Sequence, residues 1–210
     1  RTMKNQRTPH VSPSPVLTTA LVALSLLLPA PSTADPAVVS EQVRDWRVAH
    51  EQQIVDEFAG LLRIPNVAND TANIRRNAEH IAGLLRPRGF ELRLLEVAGA
   101  PPTVFAERLA AGAQRTLMIY AHYDGQPVDP AEWASDPWTP LLRDGPVELG
   151  GREVPMQAPF DPEWRIFARS AGDDKAPIAA ILSVLRAFQQ GGVRPTSNLI
   201  FFFDGEEEAG

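Results

Sequence analysis

Apolar residues recur at helical spacing from Ser40 to about Leu62, with Val43, Trp46, Ile54, Phe58, Leu61 and Leu62 on one side. Ser40 stands where an N-cap belongs, and Ile64-Pro65 closes the run, so the pattern predicts one amphipathic helix. A second helix is predicted after Asp70 as its cap, with Ile74, Ala78, Ile81 and Leu85 turned inward and "RPRG", ending at Gly89, as its stop. The period then changes. "FELRLLEV" from Phe90 and "TVFAERL" from Thr103 alternate as half-buried strands do, whereas "TLMIYA", Thr116 to Ala121, is an unbroken apolar run that reads as a central strand. Asp124 to Arg165 is rich in Pro, Gly, Trp and Asp and reads as a long excursion with one small hairpin at most. "WRIFARS" reads as a strand leading into a helix from Ala176 to about Gln190, which shows Ile178, Ile181, Leu182, Leu185 and Phe188 on one side and stops at Gly191-Gly192. "SNLIFFFD" is a further buried strand. Strand, helix, strand in that order implies parallel strands with a crossover, hence an α/β layer architecture whose site sits at the carboxyl ends of the strands.

The first 34 residues stand apart from this pattern. Arg1, Lys4 and Arg7 form a positive start, Val16 to Leu28 an apolar stretch of 13 residues, and "STA" before Asp35 a small-residue cleavage site. These are the parts of a secretory signal, so residues 1–34 are set aside, 35–210 are taken as the folded piece, and a periplasmic or extracellular location is expected. The apolar stretch falls short of the roughly 20 residues that span a bilayer, so no stable membrane anchor is expected.

Charge and cysteine content narrow the chemistry. The formal charge is -6 for the 210 residues; residues 1–34 hold three basic and no acidic side chains, which leaves -9 on the remainder. An acidic chain without a basic stripe is a poor nucleic-acid partner. There is no cysteine, so a disulfide framework is excluded and any metal site must use nitrogen and oxygen ligands.

Three polar clusters follow apolar strands. "AHYDG" gives His122 and Asp124, "RSAGDDK" gives Asp173 and Asp174, and "GEEEAG" gives Glu206, Glu207 and Glu208. Residues two apart on an extended chain face the same way, so Asp124 can accept from the ring N–H of His122 and leave the other nitrogen free for a metal. Each cluster has a plainer explanation: His122 as a polar strand end, Asp173 as a helix N-cap with Asp174 adding charge, the glutamates as a solvated turn. Adjacent carboxylates at the end of a strand as apolar as "LIFFF" nevertheless call for a cation or a proton. One histidine with several carboxylates suits zinc, cobalt or manganese, a bridging carboxylate would explain the number of acids, and a spare glutamate beside the centre is a natural general base.

"YAHYDGQP", "ARSAGDDKAPI" and "FFFDGEEEAG" together resemble the N-terminal metal motifs of the di-zinc metallopeptidases of family twenty. That family includes carnosine-type dipeptidases, glutamate carboxypeptidase, aminoacylase and succinyl-diaminopimelate desuccinylase. The resemblance runs from about Ser40 to Gly210, and "DPWTP" leans toward the dipeptidase branch. It implies a three-layer α/β/α catalytic domain, here incomplete at its C-terminus, that binds two zinc ions. It also implies His122 as a zinc ligand with Asp124 as its orienting partner, Asp173 as the bridging ligand, Glu207 as general base and Glu208 as a ligand of the second zinc, with Glu206 at a variable position. The activity implied is amide-bond cleavage in dipeptides or short peptides through a metal-bridging water. Ser170 and Ala176 stand where the family more often has glycine.

The same resemblance implies two later ligands, a carboxylate and a histidine, and a covering domain that dimerises. His10 lies in the signal, His80 falls off the apolar face of its helix and is expected to face solvent, and His50 reads as a packed boundary residue. The sequence therefore reads as the N-terminal part of a longer enzyme, inactive by itself and a homodimer when complete. Two other readings fit the same residues: an N-acyl amino acid deacylase of the family, or a non-catalytic exported domain that holds calcium or no metal.

Overall fold

The structure, a computed structural model, describes residues 35–209; the expected signal segment lies outside the described residues. Helix α1 (Pro36–Ala49) begins at Asp35, whose carboxylate accepts from the Ala37 N–H at 2.8 Å, with Pro36 in the first turn where its missing N–H costs nothing. Ser40 lies inside this helix, not at its cap. His50 then interrupts the run, and α2 (Glu51–Leu62) follows. The single helix expected from Ser40 to Leu62 is therefore two. His50 has φ -127° and ψ 21°, its N–H bonds to Arg47 O, and its ring stacks on Trp46 with Nδ1 2.7 Å from the Trp46 carbonyl oxygen. The side chain thus takes the acceptor that a continuing helix would give to the residue 50 N–H.

Helix α3 (Thr71–Leu85) is capped by Asp70 as expected, buries Ile74, Ala78, Ile81 and Leu85, and passes through a 3-10 turn to Gly89 at φ +81°. Strands β1 (Glu91–Leu95), β2 (Thr103–Arg108) and β3 (Thr116–His122) come next, followed by the short strands β4 (Leu141–Arg143), β5 (Glu153–Val154) and β6 (Arg165–Phe167). Helix α4 (Lys175–Gln190), strand β7 (Asn198–Asp204) and a 3-10 turn over Glu207–Ala209 complete the described chain.

The main sheet has the order β1-β2-β7-β3, antiparallel except for the parallel pair β7/β3. Two expectations change here. The parallel partner of β7 is β3, not "WRIFA", because β6 belongs to a separate antiparallel sheet of order β5-β4-β6 that fills the excursion. Among the described residues β3, expected as a central strand, stands at the edge of the sheet, pairing with β7 and leaving Leu117, Met118 and Tyr120 51%, 56% and 54% exposed.

The core lies between one sheet face and the helices. Val104, Ala106, Ala121, Phe201 and Phe203 meet Ile74, Ala78, Ile81 and Leu85 of α3 and Ile178, Leu182 and Leu185 of α4. Burying one such side chain contributes roughly 1.5–3 kcal/mol. The expected mixed α/β architecture is present, with the described residues supplying the sheet and one helical layer. No helix among the described residues is long and apolar enough to cross a membrane.

Candidate metal centre

Parallel pairing sets the site. The β3/β7 register ends with His122 beside Asp204, and one further bond, Tyr123 N–H to Asp204 O at 2.8 Å, carries the ladder into the following turns. The "HYDG" and "GEEE" segments therefore leave the sheet side by side, at the carboxyl end where such folds place their chemistry. Gly205 makes this approach possible, since a Cβ there would lie 2.5 Å from the Tyr123 hydroxyl and 2.9 Å from Pro101. Tyr123 is fully buried and donates its hydroxyl to the Pro102 carbonyl; burial, with Asp204 and Asp124 nearby, raises its pKa.

The third segment arrives from α4, whose packing on β3 brings its N-terminal end to this edge. The Asp173–Asp174 peptide is cis, and Asp174, not Asp173, occupies the N-cap position. Neither carboxylate caps the helix. Asp174 Oδ2 instead accepts from the backbone N–H of His122 at 3.2 Å, and Asp173 Oδ1 lies 2.9 Å from His122 Nε2. Nε2 is also 3.9 Å from Asp174 Oδ2 and 3.8 Å from Glu207 Oε2. Burial pulls the imidazole pKa down, but Asp174, Asp124, Glu207 and Asp173 together hold it above its ordinary 6.5.

Asp124 is completely buried and serves two segments. Its Oδ1 lies 3.3 Å from His122 Nδ1, on the side expected for an orienting partner, although that nitrogen makes no hydrogen bond within the usual geometry. Its two oxygens accept the backbone N–H groups of Glu207 at 3.2 Å and Glu208 at 2.9 Å. Burial pushes its carboxyl up from the usual range, opposed by those two N–H groups and by His122. Glu208 is steadied by Gln126, whose Nε2 donates to Oε2 at 2.5 Å, while Glu206 is exposed.

Two sets of ligand atoms each lie within 4.8 Å of one another: His122, Asp173 and Asp174, and His122, Glu207 and Glu208. Among the described residues no lysine or arginine pairs with these acids. Like charges converging on one imidazole, without a counter-ion from the chain, fit a metal of the nitrogen-and-oxygen class. His122, Asp124, Asp173, Glu207 and Glu208 are thus brought together, and Asp174 joins them. His80 is half-buried rather than solvent-facing, its pKa lowered by burial and by Lys175, while His50 is the packed residue expected; neither belongs to the group.

Sequence reasoning missed the supports. Asn66, Lys175, Gln126 and Gly205 contact the ligand segments from a loop, a helix start and two turns, and no spacing marks them. The unusual position of Ser170 now has a cause: its φ of +61° is left-handed backbone, where a glycine is the ordinary occupant.

One histidine and five carboxylates gathered at one edge of a mixed α/β sheet make a donor set that fits a metal ion. Residues 118–210 match the family model for peptidase family M20/M25/M40. The Cys-Gly metallodipeptidase dug1 of Schizosaccharomyces pombe is 30% identical over 111 residues, 52% of this chain and 20% of that protein. Succinyl-diaminopimelate desuccinylase of Paracidovorax citrulli is 30% identical over 157 residues, 70% of this chain and 34% of that protein. The crystal structure of human carnosine dipeptidase 1 superimposes with a TM-score of 0.65 at 22% identity, over 83% of this chain and 36% of that one. Over residues 118–210 the chain is thus similar to the M20/M25/M40 peptidase family, and it spans between a fifth and about a third of the length of these curated relatives.

Proposed function

We propose that the whole protein is an exported, zinc-dependent hydrolase of amide bonds in dipeptides or short peptides. The observation that carries this reading is His122 Nε2 ringed by Asp173, Asp174 and Glu207 at 2.9, 3.9 and 3.8 Å, with no lysine or arginine of the described residues paired to these acids. The S. pombe relative, a metallodipeptidase, supports peptides as substrates. The leader-like residues 1–34 support export to the periplasm or beyond, and the lengths of the relatives support further ligands and a dimerising domain in the whole protein.

His122, Asp173 and Glu208 would hold two zinc ions, or cobalt or manganese. Zinc supplies Lewis acidity, polarising a carbonyl and acidifying water. Asp124 keeps His122 and the Glu207–Glu208 turn in register through both of its oxygens. Glu207 has a side chain 48% exposed, with Oε2 3.8 Å from His122 Nε2, so it can take a proton from water on the ligand side and return it to the leaving amine.

In the whole encoded protein, Glu207→Gln is expected to keep its metal, measured by elemental analysis, and to lose about 10²–10⁴-fold in kcat. Undiminished turnover would remove Glu207 from the mechanism. The desuccinylase relative favours a second reading, N-acyl amino acid deacylation, which parallel kcat/KM values for dipeptides and N-acetyl amino acids separate. A calcium-binding or inert domain predicts that His122→Ala leaves metal affinity unchanged.

A further inference from the structure

The ligand-bearing turns do not hold one another in place unaided; both lean on a buried segment before α3. Asn66 is fully buried. Its Nδ2 donates to the Tyr123 carbonyl at 2.6 Å and to Ser170 Oγ at 2.9 Å, and its own carbonyl accepts from the Gly125 N–H at 2.9 Å. Tyr123 and Gly125 flank Asp124 directly, with His122 one step before, while Ser170 opens the turn that ends in Asp173 and Asp174. One residue outside every recognised motif therefore ties the histidine turn to the aspartate turn.

The orientation of the amide is fixed by chemistry. The Tyr123 carbonyl can only accept, so the nitrogen must face it. Asn66 Oδ1 then has no hydrogen-bond partner among the described residues. Neighbouring contacts follow the same plan. Lys175 Nζ donates to the carbonyls of Leu61 and Ile64, each at 3.0 Å, and Lys175 N–H closes the aspartate turn on Ser170 O at 3.1 Å. Gly125 leaves the room required, since a Cβ there would run into Ser170 Oγ and lie 3.3 Å from Asn66 Nδ2.

We infer that Asn66 is a positioning residue of the metal centre, setting the separation of the His122 and Asp173 turns through Tyr123, Gly125 and Ser170. This rests on the metal-dependent reading above. Groups behind a ligand shell that fix its geometry are worth about 10–100-fold in metal affinity. Asn66 acts on two ligand turns at once.

The test is zinc affinity of the whole encoded protein, measured by competition with a chromophoric chelator, alongside the melting temperature of the metal-free form. Asn66→Ala is expected to weaken zinc binding about 10–100-fold. Asn77→Ala serves as the comparison: Asn77 is equally buried and bonds Pro65 and Asn73 carbonyls, but touches no ligand turn, so it should lower the melting temperature and leave zinc affinity alone. Ser170→Ala, a milder change, should weaken zinc binding in the same sense. If Asn66→Ala folds, the double variant should lose little more than Asn66→Ala, because the two act through one bond. If Asn66→Ala does not fold, Ser170→Ala decides. Wild-type zinc affinity in a folded Asn66→Ala, or in Ser170→Ala when that variant must decide, overturns the inference and leaves the hydrolase reading standing. Failure of the unmodified protein to bind zinc, cobalt or manganese overturns both.

Discussion

Lys175 is the sharpest case at the scale of one residue. It follows the two aspartates directly, yet its ammonium turns away from them into a fully buried site with two carbonyls as hydrogen-bond partners. Burial lowers its pKa from the ordinary 10.5 to about 7. The unfolded chain therefore binds more protons than the folded one between about pH 7 and 10.5, and stability should rise with pH across that window. Below pH 7 both states are protonated and the burial cost is fully present. Denaturant titrations of the metal-free protein at several pH values should show this slope, and Lys175→Met should flatten it. Gly205 makes a second point, since a Cβ there would run into the Tyr123 hydroxyl. Gly205→Ala should cost about 1–3 kcal/mol by overpacking, read from the shift in urea midpoint. Neither residue is legible in the sequence as a support, because the contacts that make it one come from segments far away in the chain.

Elements show where reading by periodicity succeeds and where it cannot. The α3 pattern carries its own cap, stripe and stop, so its boundaries follow from local residues alone. The break at His50 depends on a ring finding a carbonyl four residues back, which an i, i+4 apolar stripe cannot reveal. Strand partners are non-local as well. An unbroken apolar run such as Thr116–Ala121 says that side chains of both parities are oily, not that both sheet edges are paired. What holds the helical layer together is more specific than oil. Glu57 of α2 receives Arg88 Nη2 at 2.8 Å and Arg186 Nη2 of α4 at 2.6 Å, and Arg88 also donates through Nε to Leu182 O at 3.2 Å. The Arg88 side chain is 3% exposed, so removal of its counter-charge strands a buried guanidinium. Glu57→Ala should therefore destabilise by about 3 kcal/mol. Chemical denaturation is the check, and a change under 0.5 kcal/mol would mean that solvent already serves the pair. Helix α1, with no buried residue, should by contrast exchange its amide hydrogens first.

Across the whole molecule, the candidate centre was partly legible because its ligand types cluster in three short segments after apolar strands, and the resemblance supplied their roles. The sheet that joins them, and the buried bracket behind them, rest on contacts between residues far apart in the chain, which no local pattern marks. The parallel pairing of β3 with β7 has one more consequence, and it is kinetic. Asp124 and Glu208 are 84 residues apart in sequence, with the long excursion and α4 between them. Contacts of such separation form late, after the loop entropy between them has been overcome. A metal held across that gap would stabilise the native state while leaving the folding transition state nearly untouched. Zinc should thus slow unfolding many-fold and barely alter the refolding rate; stopped-flow arms with and without chelator would show one limb moving and the other still. The protein would then owe its endurance to the last bond it makes.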